Sequence, residues 1–121
     1  MARRLLIVDD EETLTFSLYQ SFILSKKDYE VVTAASGEEA LDKMNENPFD
    51  LLITDIFMPG INGIELLKKV KVDYPKTEVI VMTAYGSEDK KDEVEELGAR
   101  HYVEKPFEMK NLREMVFNIL G

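Results

Sequence analysis

Five residues of this 121-residue chain have types and positions that could do chemistry together: Asp9, Asp10, Asp55, Thr83 and Lys105. Each stands at or just past the end of a short apolar run. Leu5 to Val8 precede the paired aspartates, Leu51 to Ile53 precede Asp55, Val79 to Met82 precede Thr83, and Tyr102-Val103 lie just before Lys105. Three carboxylates brought together cannot all stay ionised cheaply without a compensating cation. Oxygen ligands with no His or Cys among them suit a hard ion, Mg²⁺ or else Mn²⁺ or Ca²⁺. Lys105 adds a point charge on a long stem, suited to a carboxylate or a phosphate. Thr83 adds a hydroxyl that can donate a hydrogen bond. A hard cation, a lysine and a hydroxyl facing one carboxylate describe a phosphoryl-transfer site with Asp55 as the nucleophile.

Taken singly, each residue has a duller explanation. Asp9 and Asp10 could cap the helix that follows them. Lys105 could be a solvated surface lysine, Thr83 could simply end a strand, and Tyr102 could be half-buried packing. Only convergence at one place favours the chemical reading, so the elements must be able to bring the five together.

The periodicity predicts strand-helix alternation throughout. Leu5 to Val8 reads as a first strand, followed by a helix from Thr13 to Leu24 with Leu14, Leu18 and Phe22 on one face. Tyr29 to Ala34 is β-branched and aromatic, hence a strand. Ser36 and Glu39 form a capping box for a helix carrying Ala40, Leu41 and Met44. Leu51 to Thr54 is a third strand, closed by the turn signal Met58-Pro59-Gly60. Asn62 caps a helix that ends before Pro75. Glu78 to Met82 is a fourth strand. Ser87 caps a charged helix from Glu88 to Leu97, with Gly98 just past its end. His101 to Val103 is a fifth strand, and Met109 to Leu120 a last helix with Leu112, Met115, Val116 and Ile119 inward. Such alternation demands an α/β fold: a doubly wound parallel sheet with helices on both faces. For five strands the common order is 2-1-3-4-5, with ligands at the carboxyl ends of the strands where β1 and β3 part. Those ends carry Asp9, Asp10 and Asp55, and the fourth and fifth strands bring Thr83 and Lys105 to the same edge.

Composition bounds the rest. At 121 residues and 45% hydrophobic, the chain makes one domain with a proper core. It has no Cys, so neither a disulfide framework nor a thiolate metal site can form. No apolar stretch is long enough to span a membrane, and Arg3-Arg4 is followed by too short an apolar run for a signal peptide. A cytoplasmic protein is expected. The net charge of -9 makes direct nucleic-acid binding a poor fit. His101 is the only histidine, so a hydroxyl nucleophile would lack its base.

With these residues in hand, the chain resembles the receiver domain of two-component response regulators over essentially its whole length, residues 1–121, as one domain. The carriers are Val8-Asp9-Asp10-Glu11, the run from Asp55 to Gly63, Val81-Met82-Thr83-Ala84 and Lys105-Pro106-Phe107. The resemblance implies the flavodoxin-like (βα)5 form of the sheet. It implies that Asp55 accepts a phosphoryl group from a phosphohistidine on a sensor histidine kinase or phosphotransfer protein, with Mg²⁺ as cofactor. Asp10 would then ligate the ion directly, Asp9 through water, and the Phe57 carbonyl would be a further ligand beside Asp55. Thr83 and Lys105 would contact the phosphoryl group, and Thr83 with Tyr102 would switch an output face. Lys105-Pro106 would be a cis peptide. The protein would be a phosphoacceptor signalling domain that catalyses only its own phosphorylation and dephosphorylation, acting on a downstream output domain or protein. Homodimerisation on phosphorylation is left open, as is the choice between a stand-alone regulator and a receiver from a longer protein.

Two rivals share the topology. A flavin-binding module needs a Gly, Ser or Thr phosphate cradle after the first strand, where this chain has Asp9-Asp10-Glu11-Glu12. A Mg²⁺-dependent phosphohydrolase of the haloacid-dehalogenase type needs an acid/base Asp two residues past the nucleophile, where this chain has Phe57, which cannot transfer a proton. Phe57 and Tyr85, two residues beyond Asp55 and Thr83, are instead expected to shield an acyl phosphate from water and lengthen its life.

Overall fold

The computed structural model describes residues 2–25, 27–58, 60–84 and 88–121, with backbone alone at 84 and 88–91. The elements are β1 (Arg3–Val8), α1 (Glu12–Ile23), β2 (Tyr29–Ala34), α2 (Gly37–Glu46), β3 (Leu51–Asp55), α3 (Gly63–Asp73), β4 (Glu78–Ala84), α4 (Glu88–Glu96), β5 (His101–Lys105) and α5 (Met109–Leu120). The five strands pair in the order β2-β1-β3-β4-β5, every pair parallel. This is the predicted doubly wound sheet.

Two cores sandwich it. Alternate strand residues face opposite sides. Leu6, Val8, Leu52, Val79 and Val81 meet Ala40 and Met44 of α2, Leu67 and Val70 of α3 and Val94 of α4. Leu5, Ile7, Leu51, Ile53 and Met82 meet Leu18 and Phe22 of α1 and Leu112 and Val116 of α5. Leu51, Leu52 and Ile53 are fully excluded from solvent. Each such side chain contributes about 1.5–3 kcal/mol, which anchors β3 as the central strand.

Local signals explain the helix ends. The Ser36 hydroxyl accepts the Glu39 N–H at 3.1 Å. The Glu39 carboxylate reaches one residue further back than a standard box, to the Ala35 N–H at 2.8 Å. Asn62 accepts the Glu65 N–H at 3.0 Å. Gly98 adopts φ 100°, and the N–H groups of Gly98 and Ala99 bond to the carbonyls of Glu95 and Val94 at 3.1 and 3.0 Å. That is a Schellman ending, which needs a residue tolerant of positive φ. Ser87, expected to cap α4, lies outside the described residues.

The strands run further than their apolar residues suggest. β1 starts at Arg3, β3 includes Asp55, β4 continues through Thr83 to Ala84, and β5 runs to Lys105. Backbone pairing carries on past the last apolar side chain: Asp55 is in register with Met82, Thr83 with Glu104 and Ala84 with Lys105. The hydrophobic pattern ends where the core ends, whereas the ladder ends where the carbonyls lose partners. α1 begins one residue early, at Glu12, and closes at Ile23, with Leu24 as its cap.

Candidate functional site

Asp55 is the last residue of β3, so its position is set by the ladder rather than by a loop. Its main chain and that of the next residue, Ile56, are held by three hydrogen bonds. The Thr54 hydroxyl donates to the Asp55 carbonyl at 3.0 Å. The Ile56 N–H bonds to Met82 at 3.1 Å and the Gly63 N–H to Ile56 at 2.8 Å. A Cβ on Gly63 would lie 2.0 Å from the Asp55 carbonyl oxygen, so only glycine lets the start of α3 come this close. Gly63 closes the run from Asp55 to Gly63, but its residue type alone does not reveal this role.

One oxygen of the Asp55 carboxylate accepts the Phe57 N–H at 3.1 Å. The other accepts the Lys105 ammonium at 2.7 Å. Lys105 also reaches Asp9 at 3.0 Å. The second Asp9 oxygen accepts the Glu11 N–H at 2.9 Å. Asp9 therefore folds its own loop, and Glu11, which makes no side-chain cap bond, takes the N-cap position of α1. Capping does not account for the two aspartates.

Asp9, Asp10 and Asp55 each offer a carboxylate oxygen, all within 4.8 Å of one another. Asp9 and Asp55 are buried, while Asp10 faces solvent. Burial pushes the Asp9 carboxyl above its usual range. The Glu11 N–H and Lys105 pull it back, and the Asp55 charge adds to the rise. Burial also works against the Lys105 charge, but its hydrogen bonds to Asp55 and Asp9 outweigh that and hold its proton more firmly than usual. Among the described residues, one ammonium faces three carboxylates, which leaves the cluster short of positive charge. An oxygen-only donor set with one exposed corner fits a hard divalent cation.

Thr83 is fully buried at the end of β4, and its hydroxyl donates to the Val103 carbonyl at 3.5 Å. Tyr102 is half-buried on β5, and its hydroxyl donates to the Glu104 carboxylate at 3.1 Å. Period-two spacing on a strand puts those two on one face, which the sequence alone already implies. The Phe57 N–H bonds Asp55, while the residue as a whole is 53% exposed. Tyr85 lies outside the described residues. Lys105-Pro106 is cis. A cavity of ≈ 730 Å³ between α1 and α2, lined in part by Phe16 and Tyr19, includes none of the five residues.

Carboxylates at the β1/β3 switch point, with a lysine and a buried hydroxyl from the neighbouring strands, define a class that comparison makes explicit. The chain matches the response regulator receiver domain family over residues 5–117 and belongs to it. That places it in two-component signalling. It is 40% identical over 116 residues to sporulation initiation phosphotransferase F of Bacillus subtilis, covering 96% of this chain and 92% of that one. It is 35% identical to the alkaline phosphatase synthesis transcriptional regulatory protein PhoP of the same species, but there it spans only 49% of the relative's length. Among solved structures, a response regulator from Chloroflexus aurantiacus superposes with a TM-score of 0.89 at 39% identity, over 99% of this chain and 98% of that one. Chemotaxis protein CheY4 of Vibrio cholerae does so with 0.90 at 32% identity, over 99% and 100%.

Proposed function

We propose that this domain is a phosphoacceptor that takes a phosphoryl group onto Asp55 from a phosphohistidine on a sensor histidine kinase or phosphotransfer protein. The observation that carries the reading is the 2.7 Å contact between Lys105 and an Asp55 carboxylate clustered with Asp9 and Asp10. An oxygen of Asp55 attacks phosphorus, the N–P bond of the donor breaks, and its imidazole leaves with the electron pair. The Phe57 N–H holds the other Asp55 oxygen and so fixes which one attacks. Lys105 moves from the carboxylates to the incoming phosphoryl oxygens, where its charge offsets theirs. Asp9 and Asp10, with Asp55 and the Phe57 carbonyl, would hold Mg²⁺, which neutralises charge on the phosphoryl oxygens when bound. The domain catalyses this transfer to itself and the later hydrolysis, with no separate substrate turned over.

The output side is read from Thr83 and Tyr102. A phosphoryl oxygen on Asp55 offers the Thr83 hydroxyl a charged acceptor in place of the Val103 carbonyl. A charge-assisted hydrogen bond is about twice as strong as a neutral one. Tyr102 follows into the space released, and the face around it meets an output domain or protein.

The test is labelling with acetyl phosphate and Mg²⁺ followed by mass mapping. One phosphoryl group is expected, on Asp55, none after Asp55→Asn, and none with Mg²⁺ chelated. A label on Ser or Thr with Asp55 intact overturns the assignment.

A further inference from the structure

Glu104 has no part in the chemistry above, yet it sits where the switch has to move. In the β4–β5 register Val81 stands opposite Tyr102 and Thr83 opposite Glu104. Tyr102 packs against the core cluster that contains Val81, so these residues share one face of the sheet. Along that face the Tyr102 hydroxyl is tied to Glu104 at 3.1 Å, while Thr83 donates to the main chain of the residue between them at 3.5 Å. The Thr83 bond is at the long limit and joins neutral groups, so it is weak. The Tyr102 bond is shorter and ends on a carboxylate, so it is the stronger of the two. Both side chains are half-buried, enough to strengthen the bond and open enough to release it.

We propose that Glu104 is a positioning residue whose carboxylate latches Tyr102 in the arrangement that accompanies a Thr83 hydroxyl turned toward β5. The latch then sets how much of the unphosphorylated protein already has Tyr102 released. The inference rests on Thr83 and Tyr102 being a switch pair, and adds what biases that pair at rest.

The experiment is NMR of the tyrosine rings in ¹³C-tyrosine-labelled protein with Mg²⁺, with and without beryllofluoride as the phosphoryl mimic. Wild type, Glu104→Gln and Glu104→Ala are compared. In Glu104→Ala without beryllofluoride, the Tyr102 signal is expected to move toward its beryllofluoride-bound position, with the released-to-latched ratio up about tenfold. Glu104→Gln moves it less, because the amide oxygen still accepts a hydrogen bond. Beryllofluoride affinity rises with release, by reciprocity of linked equilibria. On a Tyr102→Phe background the same Glu104→Ala change is expected to leave that affinity unaltered. A persistent effect there would mean that Glu104 acts through the neighbouring Lys105 charge, and would overturn the latch. So would an identical Tyr102 signal in wild type and Glu104→Ala when beryllofluoride still moves both. A Tyr102 signal that beryllofluoride never moves would instead remove the switch pair itself.

Discussion

Lys105 lies 2.7 Å from Asp55 although the two stand 50 positions apart, on strands separated by β4. The same ammonium bonds Asp9, so it is the cation that lets two buried carboxylates coexist. Lys105→Met is expected to cost about 1–3 kcal/mol of unfolding free energy without Mg²⁺. That is less than the roughly 3–5 kcal/mol for a fully buried pair, because the lysine side chain keeps 26% exposure. Acetyl phosphate labelling of Asp55 is expected to fall by at least about tenfold. Urea titration and labelling check both; unchanged stability would show that Lys105 is not what stabilises the two buried carboxylates.

A divalent ion that binds only the folded cluster stabilises it by mass action. At about 100 times its dissociation constant, Mg²⁺ is expected to add roughly 2.7 kcal/mol. Asp10→Asn is expected to lose most of that increment, since Asp10 is the solvent-facing corner of the cluster. Thermal midpoints with Mg²⁺ and with a chelator measure it, and an Asp10→Asn increment equal to wild type counts against Asp10 as a ligand.

Gly63→Ala tests the close approach at the base of the site. A Cβ would stand 2.0 Å from the Asp55 carbonyl oxygen and 2.6 Å from the Ile56 Cα, both main-chain atoms with no room to turn aside. A cost of about 1–3 kcal/mol in stability is expected, as for other overpacked sites. Reduced labelling of Asp55 in the fraction that stays folded should accompany it. A Gly63→Ala protein with wild-type stability would mean that α3 has slack.

Glu39 supplies a pH dependence. The Ala35 N–H bond, aided by Lys43, holds its carboxyl below the usual glutamate range. A lowered folded value means stability present above the unfolded pKa of about 4.3 and lost as pH falls through the folded value. The side chain is 43% exposed, so screening limits the effect to about 0.5 kcal/mol. Glu39→Gln should therefore lower the urea midpoint at pH 7, and by progressively less as pH falls below about 4.3. Equal losses at pH 7 and at pH 3 would assign the effect to packing.

Phe57 bears on lifetime. Its side chain provides no group to orient a nucleophilic water, and the residue is 53% exposed, with its N–H on the Asp55 carboxylate. Phe57→Asn, which can orient water, is expected to speed loss of phosphate several-fold. A decay rate equal to wild type would remove the shielding idea for this residue.

The strand-helix alternation and both helical layers were legible because most strands hold a short apolar run and helices carry their own boundary signals, as Asn62 at the start of α3 and Gly98 past the end of α4 illustrate. The five site residues were legible for a related reason: a charge directly after a buried strand needs company, and topology says who the neighbours are. What stayed hidden depends on contacts rather than on types. Gly63 looks like any helix-start glycine until the Asp55 carbonyl is placed beneath it. Glu104 looks like a surface acid until Tyr102 turns toward it. The strand ends fell short because apolar character stops before pairing does.

The strand order has a consequence for how information leaves the site. Asp55 is on the central strand and Tyr102 on the perimeter one, with β4 alone between them. Two strand spacings of roughly 4.8 Å would put the proposed readout about 10 Å sideways from the proposed phosphoryl site. Such a lateral path would run across the ladder instead of along the chain, through side chains hung on a backbone that need not move. The rim can then be rewritten for a new listener while the hub keeps its chemistry, which gives the fold a division of labour between what is received and who is told.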